Sequence, residues 1–126
     1  MTLITFLGTC GGRFATIYQT RSTGGIFIQD NINIFIDPGP GALLRMREEK
    51  IDPTNIDLLL VSHCHPDHYT EVDVLIEAIT NGCTQNRGTI IASESVIKGI
   101  EGFQPKASNY HLSHLEKSSR VFTRAV

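Results

Sequence analysis

A chain of 126 residues with 40% hydrophobic and 19% charged side chains has the size and make-up of one globular domain, which excludes disordered and collagen-like classes. Its 11 Lys and Arg against 13 Asp and Glu leave a net charge of −2, so no overall basic field points to nucleic acid, although a local basic patch stays compatible with it. No apolar stretch approaches the roughly 20 residues of a membrane span.

In chain order, residues 3–7 are aliphatic, β-branched or aromatic and stop at Gly8-Thr9-Cys10-Gly11-Gly12, which predicts a first strand and a tight loop. The N-terminus therefore lacks the basic start and cleavage site of a secretory signal. Three cysteines at unrelated spacings, Cys10, Cys64 and Cys83, suit a reducing compartment, so a cytoplasmic protein is expected. The glycine loop has no Lys-Ser or Lys-Thr of a P-loop, and a plain turn is expected there rather than a phosphate cradle. Residues 25–29 and 32–36 read as a hairpin across Asp30-Asn31, a pair suited to the positive φ angles of a two-residue turn. In the second arm Ile32, Ile34 and Ile36 share one face while Asn33 and Phe35 share the other, as in a half-buried strand.

Asp37-Pro38-Gly39-Pro40-Gly41 must be a loop, because its prolines lack donors and its glycines favour unusual dihedrals. Good helix formers over 42–50 then predict a short helix, closed by Asp52-Pro53. Residues 56–61 are apolar at nearly every position, which predicts a central strand covered on both faces. Val72, Leu75, Ile76 and Ile79 fall at helical spacing and predict a helix over 71–80, with Thr70 and Asp73 as a capping pair and Asn81-Gly82 as its end. Residues 88–92 read as a further strand, Ser93 or Ser95 as the cap of a short helix towards Ile100, and Arg120-Val121-Phe122-Thr123 as strand-like. The alternation of strands and helices predicts an α/β domain, α+β layered, with no internal repeat.

The chemistry is concentrated in His63-Cys64-His65-Pro66-Asp67-His68, at the carboxyl end of the predicted central strand, a usual place for sites in α/β sheets. While the chain is extended, His63 and His65 project to one side and Cys64 to the other, so the two imidazoles can grip one ion. Pro66 then forces a turn, after which Asp67 and His68 can serve a second ion. Imidazole and carboxylate donors without a cysteine cage predict an open, water-bearing site rather than a closed structural zinc. Two ions about 3.5–4 Å apart can share a hydroxide, which points to hydrolysis.

Residues 61–68 match the H-x-H-x-D-H signature, and on it the sequence resembles the metallo-β-lactamase superfamily; Asp37, after a hairpin strand, is similar to that family's earlier aspartate motif. Thr5-Phe6-Leu7-Gly8-Thr9 and the glycine loop look like the opening of its ribonuclease Z and cyclic-phosphodiesterase branch. The resemblance implies the N-terminal half of an αββα sandwich holding two divalent metal ions, zinc first, with manganese or iron as alternatives. It implies that His63 and His65 bind the first metal and Asp67 and His68 the second, that Asp67 also orients or deprotonates the attacking water, and that Asp37 braces the site. Family members supply a further histidine, a bridging aspartate and a final histidine from the second half. No such pattern follows His68, so a single domain over 1–126, incomplete at its C-terminus, is expected.

The function expected on these grounds is metal-dependent hydrolysis of a small molecule or phosphodiester. One alternative is a half-domain that binds metal weakly until a further segment, a partner or a second copy completes it, since a half sandwich leaves a sheet face uncovered. Another is thioester or lactone hydrolysis, or oxygen chemistry at iron, on the same fold. His111 and His114 could be presented together by a helix, but their polar segment favours a solvent-facing or bracing role. Cys64 reads as a small buried residue rather than a nucleophile.

Overall fold

The computed structural model describes residues 1–99, 107–115 and 120–122. Its six strands, β1 (Leu3–Gly8), β2 (Thr23–Gln29), β3 (Asn33–Ile36), β4 (Leu58–Val61), β5 (Thr89–Ser93) and β6 (Arg120–Phe122), lie side by side in sequence order. β1, β2 and β3 form an antiparallel meander, and β3 to β6 run parallel. Helix α1 (Arg13–Tyr18) joins β1 to β2. Parallel neighbours need crossovers, and α2 (Ala42–Glu48) supplies the one from β3 to β4. Helices α3 (Pro66–Tyr69) and α4 (Val72–Ile79) supply the next, and α5 (Glu94–Ile97) and α6 (Asn109–Leu112) follow β5.

One face of the sheet makes the core. Phe27, Phe35, Leu59 and Ile90 stand in register across four strands and are buried. Met46 of α2 and Leu75, Ile76 and Ile79 of α4 close over them, the last three on the apolar stripe that the i, i+3, i+4, i+7 spacing predicted. Each such side chain contributes about 1.5–3 kcal/mol through burial, and Leu59→Ala would cost about 2–5 kcal/mol once the cavity is included.

The other face is different. Phe6, Ile26, Ile36, Leu60 and Ile91 form a second cross-strand row, with Ile4, Ile28, Ile34 and Leu58 beside it, and every one is exposed or half-buried. The expectation that β4 is covered on both faces is therefore corrected: α2 and α4 cover Leu59 and Val61, while Leu58 and Leu60 stay partly open. On β3 the buried side is that of Phe35, not that of the isoleucines.

Several local details also depart from the sequence expectations. Gln29 pairs with Asn33, so the hairpin loop has three residues, closed by Asp30 N–H donating to Ile32 O, and neither Asp30 nor Asn31 adopts positive φ. Thr70 and Asp73 do not cap α4: the Thr70 hydroxyl bonds the Pro66 carbonyl, and Asp73 accepts from Ser108 N at 2.8 Å. Ser93 occupies the N-cap position of α5, yet its hydroxyl pairs with that of Ser95 rather than with the backbone. Helix α1 adds to the sequence expectations: Phe14, Ile17 and Tyr18 fall at i, i+3, i+4 spacing in it, but the stripe is a single turn long and exposed. Ile100 and Thr123 lie outside the described residues. No helix among the described residues is long and apolar enough to cross a membrane.

Candidate metal centre

β1 runs opposite to β2, and β2 opposite to β3, so β1, β3 and β4 point the same way. Their following loops open at one edge of the sheet, where Gly12, Asp37 and the segment 62–68 meet. Asp37 takes a left-handed conformation, φ 53°, which Asp tolerates better than most residues. Its amide donates to Leu60 O at 2.8 Å, tying the two strand ends together. Gly39 allows the loop to pass the start of α3, because a Cβ there would stand 2.2 Å from both Asp67 O and Thr23 O. The Glu71 carboxylate holds the far side of that loop by accepting from Gly41 N and Leu43 N.

The Asp37 carboxylate does not reach into the centre; it organises the side chains that do. Its Oδ1 accepts from Ser62 N at 2.6 Å, and its Oδ2 accepts from Ser62 Oγ at 2.7 Å and His68 Nδ1 at 2.8 Å. Ser62 has one hydroxyl proton and gives it to Asp37, so its oxygen accepts from His63 Nδ1 at 2.8 Å. Both rings are consequently held through Nδ1–H and turn their Nε2 inward. This is the arrangement in which an outer partner fixes the tautomer of a metal-binding imidazole.

Two pairs of donors result. His63 Nε2 lies 3.0 Å from His65 Nδ1, and His68 Nε2 lies 3.2 Å from Asp67 Oδ2. Ligands about 2.0–2.1 Å from a tetrahedral zinc are separated by about 3.3 Å, so each pair has the spacing of two ligands on one ion. The His63 and His68 rings also lie against one another, centroids 4.1 Å apart and tilted by 43°. Among the described residues no three or more His, Cys, Asp and Glu side chains converge as a metal site. Each of the two pairs thus offers two donors, where zinc takes three or four.

Burial, with the neighbouring His68 and His65 adding to it, lowers the proton affinity of His63 below the ordinary imidazole value. A neutral ring is the form that ligates. Asp67 also accepts from Gly12 N at 3.1 Å, and a cleft of about 530 Å³ lies between α1 and the histidine segment, lined by Arg13, Thr16 and Ile17 on one side and His65, Asp67 and His68 on the other. Ser62 and Gly12 were not singled out as functional from the sequence. A serine beside a histidine and a glycine in a turn carry no residue-type signal for these roles.

The other sequence candidates fall elsewhere. His111 is half-buried, not solvent-facing; its Nε2 pairs with Glu77 Oε1 at 2.8 Å, joining α6 to α4, while His114 folds back on Tyr110 O at 2.8 Å. Cys64 is partly buried and packs against the core, as expected.

A mixed α/β sheet with an H-x-H-x-D-H turn at the carboxyl end of its parallel strand β4 is the arrangement of a metallo-β-lactamase-type fold. The sequence profile of the β-lactamase superfamily domain matches residues 32–122, and the chain belongs to that family. It is 48% identical over 115 residues to uncharacterized protein MJ1374 of Methanocaldococcus jannaschii, covering 90% of this chain and 43% of that protein. It is 29% identical over 100 residues to ribonuclease Z of Clostridium novyi, covering 79% of this chain and 31% of the relative. Among solved structures, the metallo-β-lactamase fold protein YhfI of Bacillus subtilis superposes with a TM-score of 0.65 at 18% identity, covering 97% of this chain and 46% of that one. The short form of human tRNase Z, ELAC1, superposes with a TM-score of 0.59 at 19% identity, covering 85% and 43%. The chain thus spans less than half the length of these relatives, 31–46%.

Proposed function

We propose that this chain is the N-terminal portion of a metal-dependent hydrolase acting on phosphodiesters, with His63 and His65 holding one divalent ion and Asp67 and His68 a second. The observation that carries this reading is the pair of donor sets at 3.0 and 3.2 Å, with the Nδ1 atoms of His63 and His68 turned back towards Ser62 and Asp37. Bound there, zinc, or manganese or iron in its place, supplies hydroxide at neutral pH and positive charge against the oxygen that becomes negative. Asp67 is the catalytic carboxylate, placed at the cleft to orient or deprotonate the attacking water. Asp37 keeps two imidazoles in the ligating tautomer. Relatives named ribonuclease Z favour a phosphodiester substrate, nucleic acid included, over a thioester or lactone. Three free cysteines agree with a cytoplasmic location.

The test is metal content of the purified chain together with hydrolysis of bis-p-nitrophenyl phosphate, using His65→Ala and Asp67→Ala. Both variants are expected to lose metal, and unchanged content in both rejects the ligand assignment. Hydrolysis of a thioester or lactone but no phosphodiester would favour the alternative substrate class.

A second reading has its own support: the centre is a half-site, in a single domain over 1–126 that is completed by a further segment or a second copy. Two donors per ion fall short of a zinc set. A shallow groove of about 440 Å³ also runs from Phe6, Ile26 and Ile36 on the open apolar face to Asp37, Asp67 and His68, so whatever covers that face would reach the donors. Light scattering discriminates, because a compact active monomer contradicts it.

A further inference from the structure

We propose that the glycine loop after β1 is a positioning element of the centre, in which the backbone N–H of Gly12 fixes the oxygen that Asp67 presents beside His68. The inference rests on the ligand roles proposed above for Asp67 and His68.

Gly12 N donates to Asp67 Oδ2 at 3.1 Å, and the same oxygen stands 3.2 Å from His68 Nε2. A carboxylate on a single freely turning bond could offer either oxygen at many angles. Here one oxygen is selected, in a side chain only 11% exposed. The donor has φ 88° and ψ 150°, a backbone state essentially confined to glycine. An L side chain at this position would drive the backbone out of that state and turn the N–H off the carboxylate. Gly11 lies in the same layer, since a Cβ there would come within 3.4 Å of Asp67 Oδ2. A plain turn needs glycines for its dihedrals but needs no bond to a residue 55 positions away. A backbone amide has no rotamer and does not titrate in the working pH range, so it holds the carboxylate as no side chain can. Its bond to an ionised acceptor is of the stronger, charge-assisted kind.

Chemical ligation at Cys10 gives access to the test. In one variant the Gly12 amide is replaced by an ester, which deletes the N–H and keeps the dihedral freedom; Gly12→Ala accompanies it. Gly82→Ala is the control, because Gly82 has φ 70° and a Cβ there would meet nothing within 4 Å. Zinc affinity of each chain is measured by competition with a chromophoric chelator, alongside thermal unfolding. The ester and Gly12→Ala are expected to bind zinc about 10–100-fold more weakly, the loss typical of an outer-shell partner. Gly82→Ala lowers the unfolding temperature without moving zinc affinity. Full zinc affinity in the ester variant, with Asp67→Ala defective, overturns the positioning role and leaves the ligand assignment standing. An unmodified chain that takes up no zinc, or an Asp67→Ala chain that binds it normally, overturns both.

Discussion

Asp37→Asn separates the fold from the centre. Asn keeps an acceptor for Ser62 N and tolerates the left-handed φ of 53°, so the strand ends stay joined. Exchanging a carboxylate acceptor for an amide one weakens that bond by about 1 kcal/mol, the difference between charged and neutral hydrogen bonds. The second oxygen, however, becomes an NH2 facing two donors, Ser62 Oγ and His68 Nδ1. His68 must then accept on Nδ1 and carry its proton on Nε2. Ser62, now receiving from Asn, gives its proton to His63 Nδ1, and that ring inverts as well. Both inward nitrogens lose their free lone pair, so zinc affinity should fall about 10–100-fold, or about 1.4–2.7 kcal/mol. Urea unfolding reads the first quantity, chelator competition the second, and 15N correlation spectra of the imidazoles report the tautomers directly. Asp37→Asn rings that keep the Nδ1–H form with unchanged zinc affinity would refute the reasoning.

Three further outcomes are expected. In the metal-free chain, folded His63 resists protonation while the unfolded chain takes up that proton near the ordinary imidazole value of about 6.5; stability therefore falls as pH drops through and below that point, and His63→Gln should flatten the slope of unfolding temperature against pH. Arg87 clamps three carbonyls, Thr54 O at 2.6 Å and Ile56 O and Ile79 O each at 3.0 Å, so Arg87→Ala should lower the urea-derived unfolding free energy by about 1–3 kcal/mol while zinc affinity stays put. Phe6 is 64% exposed on the open sheet face, so Phe6→Ser should change stability by less than about 1 kcal/mol yet reduce binding of a hydrophobic dye and scattering from associated chains.

The centre was legible to the extent that its chemistry resides in side-chain types. Three histidines and an aspartate around Pro66 announce themselves, and so does Asp37 in a Pro-Gly loop behind a hairpin. The structure adds what residue types do not encode: the Ser62 relay and the Gly12 amide, which are contacts between loops far apart in the chain. Leu58-Leu59-Leu60-Val61 shows the limit for the fold. A wholly apolar run predicts an interior strand, and β4 is one, but the same letters fit a face against α4 and a face left open. Helix α1 is hard to read because its apolar positions, Phe14, Ile17 and Tyr18, span only one turn of a six-residue helix and bury nothing, whereas periodicity identifies a helix over a longer window. The Thr70–Asp73 cap failed for a related reason, since Ser108, distant in sequence, claims the carboxylate.

Asp37 Oδ2 serves two masters: it receives Ser62 Oγ, and through it His63, and it receives His68 directly. One atom thereby links rings that the proposed assignment gives to different ions. Charge drawn from it by a cation on His68 is charge no longer offered towards His63, so filling one position weakens the other. Loading should trace two unequal steps rather than a single isotherm, and the centre would hold its first ion more firmly than its second by construction rather than by any difference in ligand type.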